Sequence, residues 1–346
     1  MSPSGDIQKT GTGAEKRRKG LSFSERIAVP DGLPRQEPVR INTDSILMFP
    51  DLDRAYSLKG VICTGGNALV SLAEDKFLKR TVVLKSLRGD LQNDPVKRRS
   101  FLREAQLMAQ LDHPFIVPVY GSVRDSAGGL HIVMKRICGE SLRELLKKLR
   151  DKYSSVRMSR TEERKSLILR LILFTRVCDA IAFAHSKRVL HGDLKPGNIM
   201  IENLRNVYVM DWGNAQIVKD DPDFCILKDT ISGTPGYLPP EAVRGECMDF
   251  RSEVFTLGLI LFELVTLSKA VTGATARDIL LKLRDGKCNP IRHKFNIPIS
   301  RDLRAILKKA LQPDREKRYQ SVSEIAEEIR NYLSQFPGTD PSGRKR

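Results

Sequence analysis

The run His191-Gly192-Asp193-Leu194-Lys195-Pro196-Gly197-Asn198, followed by Asp211-Trp212-Gly213, puts two acids, a lysine and an amide within a short stretch of chain. Phosphoryl transfer from ATP needs such a set: a carboxylate to accept a hydroxyl proton, oxygen ligands for Mg²⁺ between phosphates, and a cation beside the transferring group. Asp193, the pair Asn198 and Asp211, and Lys195 meet these needs in turn. Asp, Gly and Asn also make turns, so a hairpin without chemistry is the plain alternative. The surroundings favour chemistry. Residues 198–201 (NIMI) and 207–210 (VYVM) read as short apolar strands, which leaves the acids on the loops between them.

The elements that must position these groups fall into two sets. Short β-like runs over 56–132, interrupted by one helix over 95–110, predict a small β-rich unit. Residues 133–138 (VMKRIC) read as a hinge. Helical periodicity over 141–149, 163–185, 252–267, 276–285, 300–311 and 321–333 then predicts a larger, mostly α unit. Residues 1–50 are rich in Ser, Gly, Pro and Arg without apolar periodicity and predict a disordered arm; 337–346 predict a frayed, basic tail.

With 346 residues, 40% hydrophobic and 29% charged, the chain can bury one large core or two lobes. Its six cysteines show no C-x-x-C pairing, which suggests a reducing compartment and argues against a zinc site or disulfide frame. The N-terminus has no apolar signal-peptide core. Of the longest apolar stretches, 166–185 is interrupted by Arg170 and Arg176, and 255–267 is too short to span a bilayer. The expectation is a cytoplasmic protein with no transmembrane segment.

The net charge of +17 belongs to the folded part, since residues 1–50 hold eight basic against six acidic side chains. Residues 143–170 alone hold ten basic and four acidic residues. They form either a solvated surface or a docking surface for an acidic protein, anionic lipid or nucleic acid. Tyr153 is the only aromatic residue among them, which argues against base stacking and a nucleic-acid partner.

Further landmarks occur in a fixed order: Val82-Val83-Leu84-Lys85, Phe101-Leu102-Arg103-Glu104, the loop above with its Asp-Trp-Gly, GTPGYLPPE from Gly233 to Glu241, and Arg318. On these motifs the chain resembles the eukaryotic-like serine/threonine protein kinases from about Tyr56 to Leu333, especially the bacterial branch that writes DWG for DFG. The resemblance implies an α+β, two-lobed fold over 51–336, with an N-lobe to about 134 and a C-lobe from about 135. It also implies MgATP as phosphoryl donor and Ser or Thr hydroxyls of proteins, the chain itself included, as acceptors.

Residue by residue, the resemblance implies Asp193 and Lys195 as catalytic groups and Asn198 and Asp211 as metal ligands. Lys85 would contact the α- and β-phosphates and pair with Glu104. Met134 would close the back of the adenine pocket, with Lys135 and Ile137 at the hinge. Ile62, Cys63, Gly65, Gly66 and Val70 would form the phosphate-covering loop and its flanks. Glu241 would pair with Arg318, and Thr234 would help place the acceptor.

Five departures set the chain apart: Cys63 and Ala68 for two loop glycines, Gly192 for the arginine before the catalytic acid, Pro239 for alanine, and Glu253 for a helix aspartate. Cys63 would add strain if its position needed positive φ. Gly192 removes the partner that receives a phosphate from Thr230 or Ser232, leaving Arg103 or Lys228 as substitutes. Together the departures keep open an alternative, a pseudokinase acting as a nucleotide-binding or protein-interaction module.

Overall fold

Alternating burial builds the first unit. After a one-turn helix α1 (Leu52–Ala55), strands β1 (Tyr56–Thr64), β2 (Ala68–Asp75) and β3 (Arg80–Leu87) form two hairpins. Helix α2 (Pro95–Gln110) follows, then β4 (Val119–Arg124) and β5 (Leu130–Lys135), giving an antiparallel sheet in the order β1-β2-β3-β5-β4. The computed structural model describes residues 39–42, 49–204, 206–219 and 234–336.

The period of two decides where the chemistry points. Val82 and Leu84 of β3 join a small cluster with Leu52, Ala73, Val123 and Val133 on one face of the sheet. Val83 and Leu87 enter the main core from the other face, and Lys85 shares their parity. Helix α2 begins at Asp94, whose carboxylate accepts from the Val96 and Lys97 amides, with Pro95 in the first turn. It ends at Gln110, so its bounds match the expected 95–110.

Helices build the second unit: α3 (Leu142–Ser155), α4 (Arg160–Ser186), α5 (Pro240–Arg244), α6 (Phe250–Thr266), α7 (Ala276–Arg284), α8 (Arg301–Ala310) and α9 (Val322–Ser334). Ser141 with Glu144 and Ser159 with Glu162 form capping boxes that start α3 and α4. Helix α6 is buried on all sides from Ser252 to Thr266, as befits the central helix of a bundle. Short strands β6 (Glu140–Ser141), β8 (Ile199–Glu202) and β9 (Asn206–Val209) form one small sheet; β7 (Val189–Leu190) and β10 (Gln216–Ile217) form another.

Three expectations change. Helix α3 runs to Ser155, past 149, because buried Tyr153 anchors a last turn that is otherwise polar. Val39–Asn42, inside the span read as a disordered arm, lies along α2: the Val39 side chain is buried, and the side chains of Gln106 and Gln110 bond the backbone N–H and C=O of Asn42 and Arg40. Cys63, Cys138, Cys178 and Cys288 are free thiols, but Cys247 is disulfide-bonded, against the expectation of no disulfides. No helix among the described residues is long and apolar enough to cross a membrane.

Candidate active site

The β8–β9 hairpin joins the two halves of the central motif. Its register pairs Ile199 with Val209, so Asn198 and Asp211 emerge from the same open end, locked by a 2.8 Å bond from the Met210 N–H to the Asn198 carbonyl. Asp193 and Lys195 sit on the loop between β7 and β8. Lys195 Nζ donates to Asp193 Oδ2 at 2.5 Å, and Asn198 Nδ2 donates to the Asp193 carbonyl at 2.8 Å. Asn198 thus spends its amide nitrogen on the loop, which leaves Oδ1 as its acceptor end.

From the β-rich unit, Lys85 reaches across. Its Nζ lies 2.6 Å from Glu104 Oε1 and 3.1 Å from Asp211 Oδ1. Burial alone would lower the Lys85 pKa, but the two carboxylates outweigh it and raise it, so the ammonium is charged. Asp211 is likewise opposed by burial and held below the ordinary carboxylate value by Lys85. Its backbone is strained: φ is +59°, a left-handed conformation uncommon outside glycine and typical of functional positions. Glu104 sits on the buried side of α2 with Phe101, Ala105 and Met108, as its neighbours' character suggested.

His191 is fully buried. It bonds the Met210 carbonyl at 2.9 Å and packs on Trp212 with ring centroids 4.6 Å apart. It is therefore a brace under the loop, not a second base. Glu253, in the first turn of α6, accepts from the Gly192 N–H at 2.9 Å and contacts His185 Nε2 at 2.7 Å. Its two oxygens thus serve one partner each.

Gly192 needs its residue type for a reason hidden in the sequence. Its φ is +77°, and a Cβ there would collide with the backbone carbonyl of Asn214. Glycine at this position is thus a packing requirement. Thr230, Ser232 and Lys228 lie outside the described residues. Thr234 and Asp193 line one small cavity of about 30 Å³, with Tyr237 and Glu253.

The residues expected around the nucleotide fall on β1, β2 and β5 and just beyond. Ile62 and Cys63 are exposed on β1, Gly65 donates to the Ala68 carbonyl at 2.8 Å across the β1–β2 turn, and an added Cβ at Gly66 would meet nothing. Cys63 is not among the non-glycine residues with positive φ, so the strain expected there is absent. Val70, Met134 and Ile137 belong to one apolar cluster, with Met134 buried on β5 opposite Val83. Lys135 donates its N–H to the Pro118 carbonyl at 3.0 Å and its ammonium to the Tyr208 hydroxyl at 2.5 Å. Sequence reasoning missed Gly139 at the hinge's end, where a Cβ would strike the Ile201 carbonyl. A glycine just after the hinge was the available signal.

A β-rich lobe carrying a lysine–glutamate pair, set against a helical lobe carrying the Asp193, Asn198 and Asp211 constellation, defines a class. The chain belongs to the protein kinase domain family, whose pattern matches residues 56–331. It is 35% identical over 298 residues to the serine/threonine-protein kinase PknD of Chlamydia muridarum (strain MoPn / Nigg), a match spanning 80% of this chain and 31% of the relative. The corresponding figures for PknD of Protochlamydia amoebophila (strain UWE25) are 32% over 295 residues, 80% and 30%. For serine/threonine-protein kinase PknB of Mycobacterium tuberculosis (strain ATCC 25618 / H37Rv) they are 35% over 283 residues, 80% and 43%. The chain therefore spans less than half the length of these curated relatives.

Proposed function

We propose that the chain transfers the γ-phosphoryl group of MgATP to serine or threonine hydroxyls of proteins. The observation that carries this reading is the joined contact set at Lys85, which bonds Glu104 and Asp211 at once and so assembles the cleft from both lobes. Asp193 would accept or orient the acceptor hydroxyl's proton, and Lys195, 2.5 Å from it, would lie beside the transferring phosphoryl. Lys85 would hold the α- and β-phosphates. Asn198 Oδ1 and the ionised Asp211 carboxylate are hard oxygen donors that suit Mg²⁺, an ion that takes few protein ligands and keeps waters and phosphates for the rest. The ion would neutralise charge on the phosphates. Val70, Met134 and Ile137 would hold the adenine, with hinge backbone at Lys135 and Ile137 reading its edge. The remaining catalytic effect is positioning and electrostatics.

The test is phosphoryl transfer from labelled ATP to a generic protein substrate with Mg²⁺, wild type beside Asp193→Asn. A fall of roughly 10²–10⁴-fold is expected on losing a general base. Equal signals would assign the activity to a contaminant, and ATP binding without transfer by wild type would favour the binding-module alternative.

A further inference from the structure

A second cavity lies in the helical lobe, at the start of α4, the end of α6, the 293–300 segment and the end of α9. Its volume is about 530 Å³, within the range of small-molecule sites. Much of its wall is apolar, including Leu167, Ile168, Val265, Ile297 and Ile299. Within that wall stand two polar groups that the protein leaves incomplete. The Tyr153 hydroxyl is buried with no hydrogen-bond partner. The Arg170 side chain is 2% exposed, in a helix stretch otherwise read as solvated basic surface.

Arg170 spends Nε on the Ser166 carbonyl and one terminal nitrogen on the Leu264 carbonyl. Among the described residues it pairs with no carboxylate. Burial lowers its pKa to about 10, so it stays cationic at neutral pH. Burial, aided by Arg170, pushes neighbouring His293 down to about 4, so the histidine is neutral there. A buried cation without an anion and a buried hydroxyl without a partner each carry a desolvation cost that one ligand atom group would relieve together. A single negative charge matches the single cation, and a planar carboxylate matches the guanidinium fork. At the mouth, Arg160 and Arg164 flank Glu163, and Arg164 lies 5.5 Å over the Phe336 ring.

We propose that this cavity binds a single-chain aliphatic carboxylate, its head on Arg170 and Tyr153 and its chain along Leu167, Ile168, Ile297 and Ile299. The site is separate from the cleft and independent of the transfer reading. Calorimetric titration of the full chain with decanoate, below its micelle-forming concentration, tests it. Binding should weaken roughly fourfold per methylene removed, so octanoate should bind more weakly than decanoate. Neutral 1-decanol should bind about tenfold more weakly or worse, because it leaves the guanidinium unpaired. Tyr153→Phe should lose roughly tenfold in decanoate affinity while its unliganded melting temperature holds or rises. Ile299→Trp, which fills the cavity, should abolish binding. No decanoate binding by wild type, equal binding of decanoate and 1-decanol, or wild-type affinity in Tyr153→Phe would each overturn the assignment.

Discussion

Two ion pairs, one in each lobe, show opposite uses of buried charge. Arg318 and Glu241 are both sealed from solvent and meet through two bonds of 2.7 and 2.8 Å. Arg318 also donates to the carbonyls of Gln312, Arg251 and Pro313, so its donors are saturated. Lys85 is held by single contacts to two acids, one of which, Asp211, has a side chain 51% exposed to the cleft. The first pair is scaffolding that nothing can exchange with. The second leaves one partner open to solvent, as the metal and phosphate contacts proposed above would need.

That contrast predicts its own largest effect. Arg318→Met should destabilise the protein by about 3–5 kcal/mol, because it strands the buried Glu241 carboxylate. Lys85→Met also strands a buried acid, but burial already raises the Glu104 pKa, so that carboxyl can take up a proton, and the variant should cost only about 1–2 kcal/mol of stability yet lower transfer by roughly 10²-fold or more. Thermal melts and initial rates of both variants decide it: equal losses of stability would erase the distinction.

A smaller effect follows from pH. Burial would raise the Glu241 pKa, but Arg318 holds it below its ordinary value of 4.5. A carboxyl whose folded pKa is depressed contributes stability that is fully present above the unfolded value and lost as pH falls through the folded one. In Arg318→Met burial acts without Arg318 and raises the Glu241 pKa, so the difference in melting temperature between wild type and variant should already begin to shrink above pH 4.5 and go on shrinking as the pH falls. A difference that grew with acid would contradict the assignment.

The smallest effect concerns the β-rich lobe's margin. Gln106 and Gln110, one turn apart on α2, each bond both backbone groups of one residue in Val39–Asn42. The double alanine variant should lose about 1 kcal/mol, because these bonds are exposed. Hydrogen exchange at the Arg40 and Asn42 amides should speed up while α6 stays protected; unchanged exchange would show that the clamp carries no load.

How much of this was legible in the sequence depended on whether a residue's type announced its environment. The loop carrying Asp193 and Lys195 was legible as a loop because polar residues between apolar strands favour turns. Helix α2 was legible at its start because Asp94-Pro95 is a start signal that tolerates few other readings. Arg170 was counted among the charges of a basic surface, since periodicity alone cannot say that one arginine in that run turns inward. Val39–Asn42 carries no strand pattern of its own, and the glutamines that seat it are far away in sequence. Cys63 was read through the glycine it replaces, whereas the backbone there asks for no glycine.

The left-handed backbone at Gly192 also restricts the routes by which this site can change. Any side chain introduced there meets the Asn214 carbonyl, so the segment after Asp-Trp-Gly must move before position 192 can accept one. A single substitution to arginine would first distort the loop that carries Asp193. The two positions are bound in order: Asn214's backbone must yield first, and only then does a cation beside Asp193 become an accessible step for this chain.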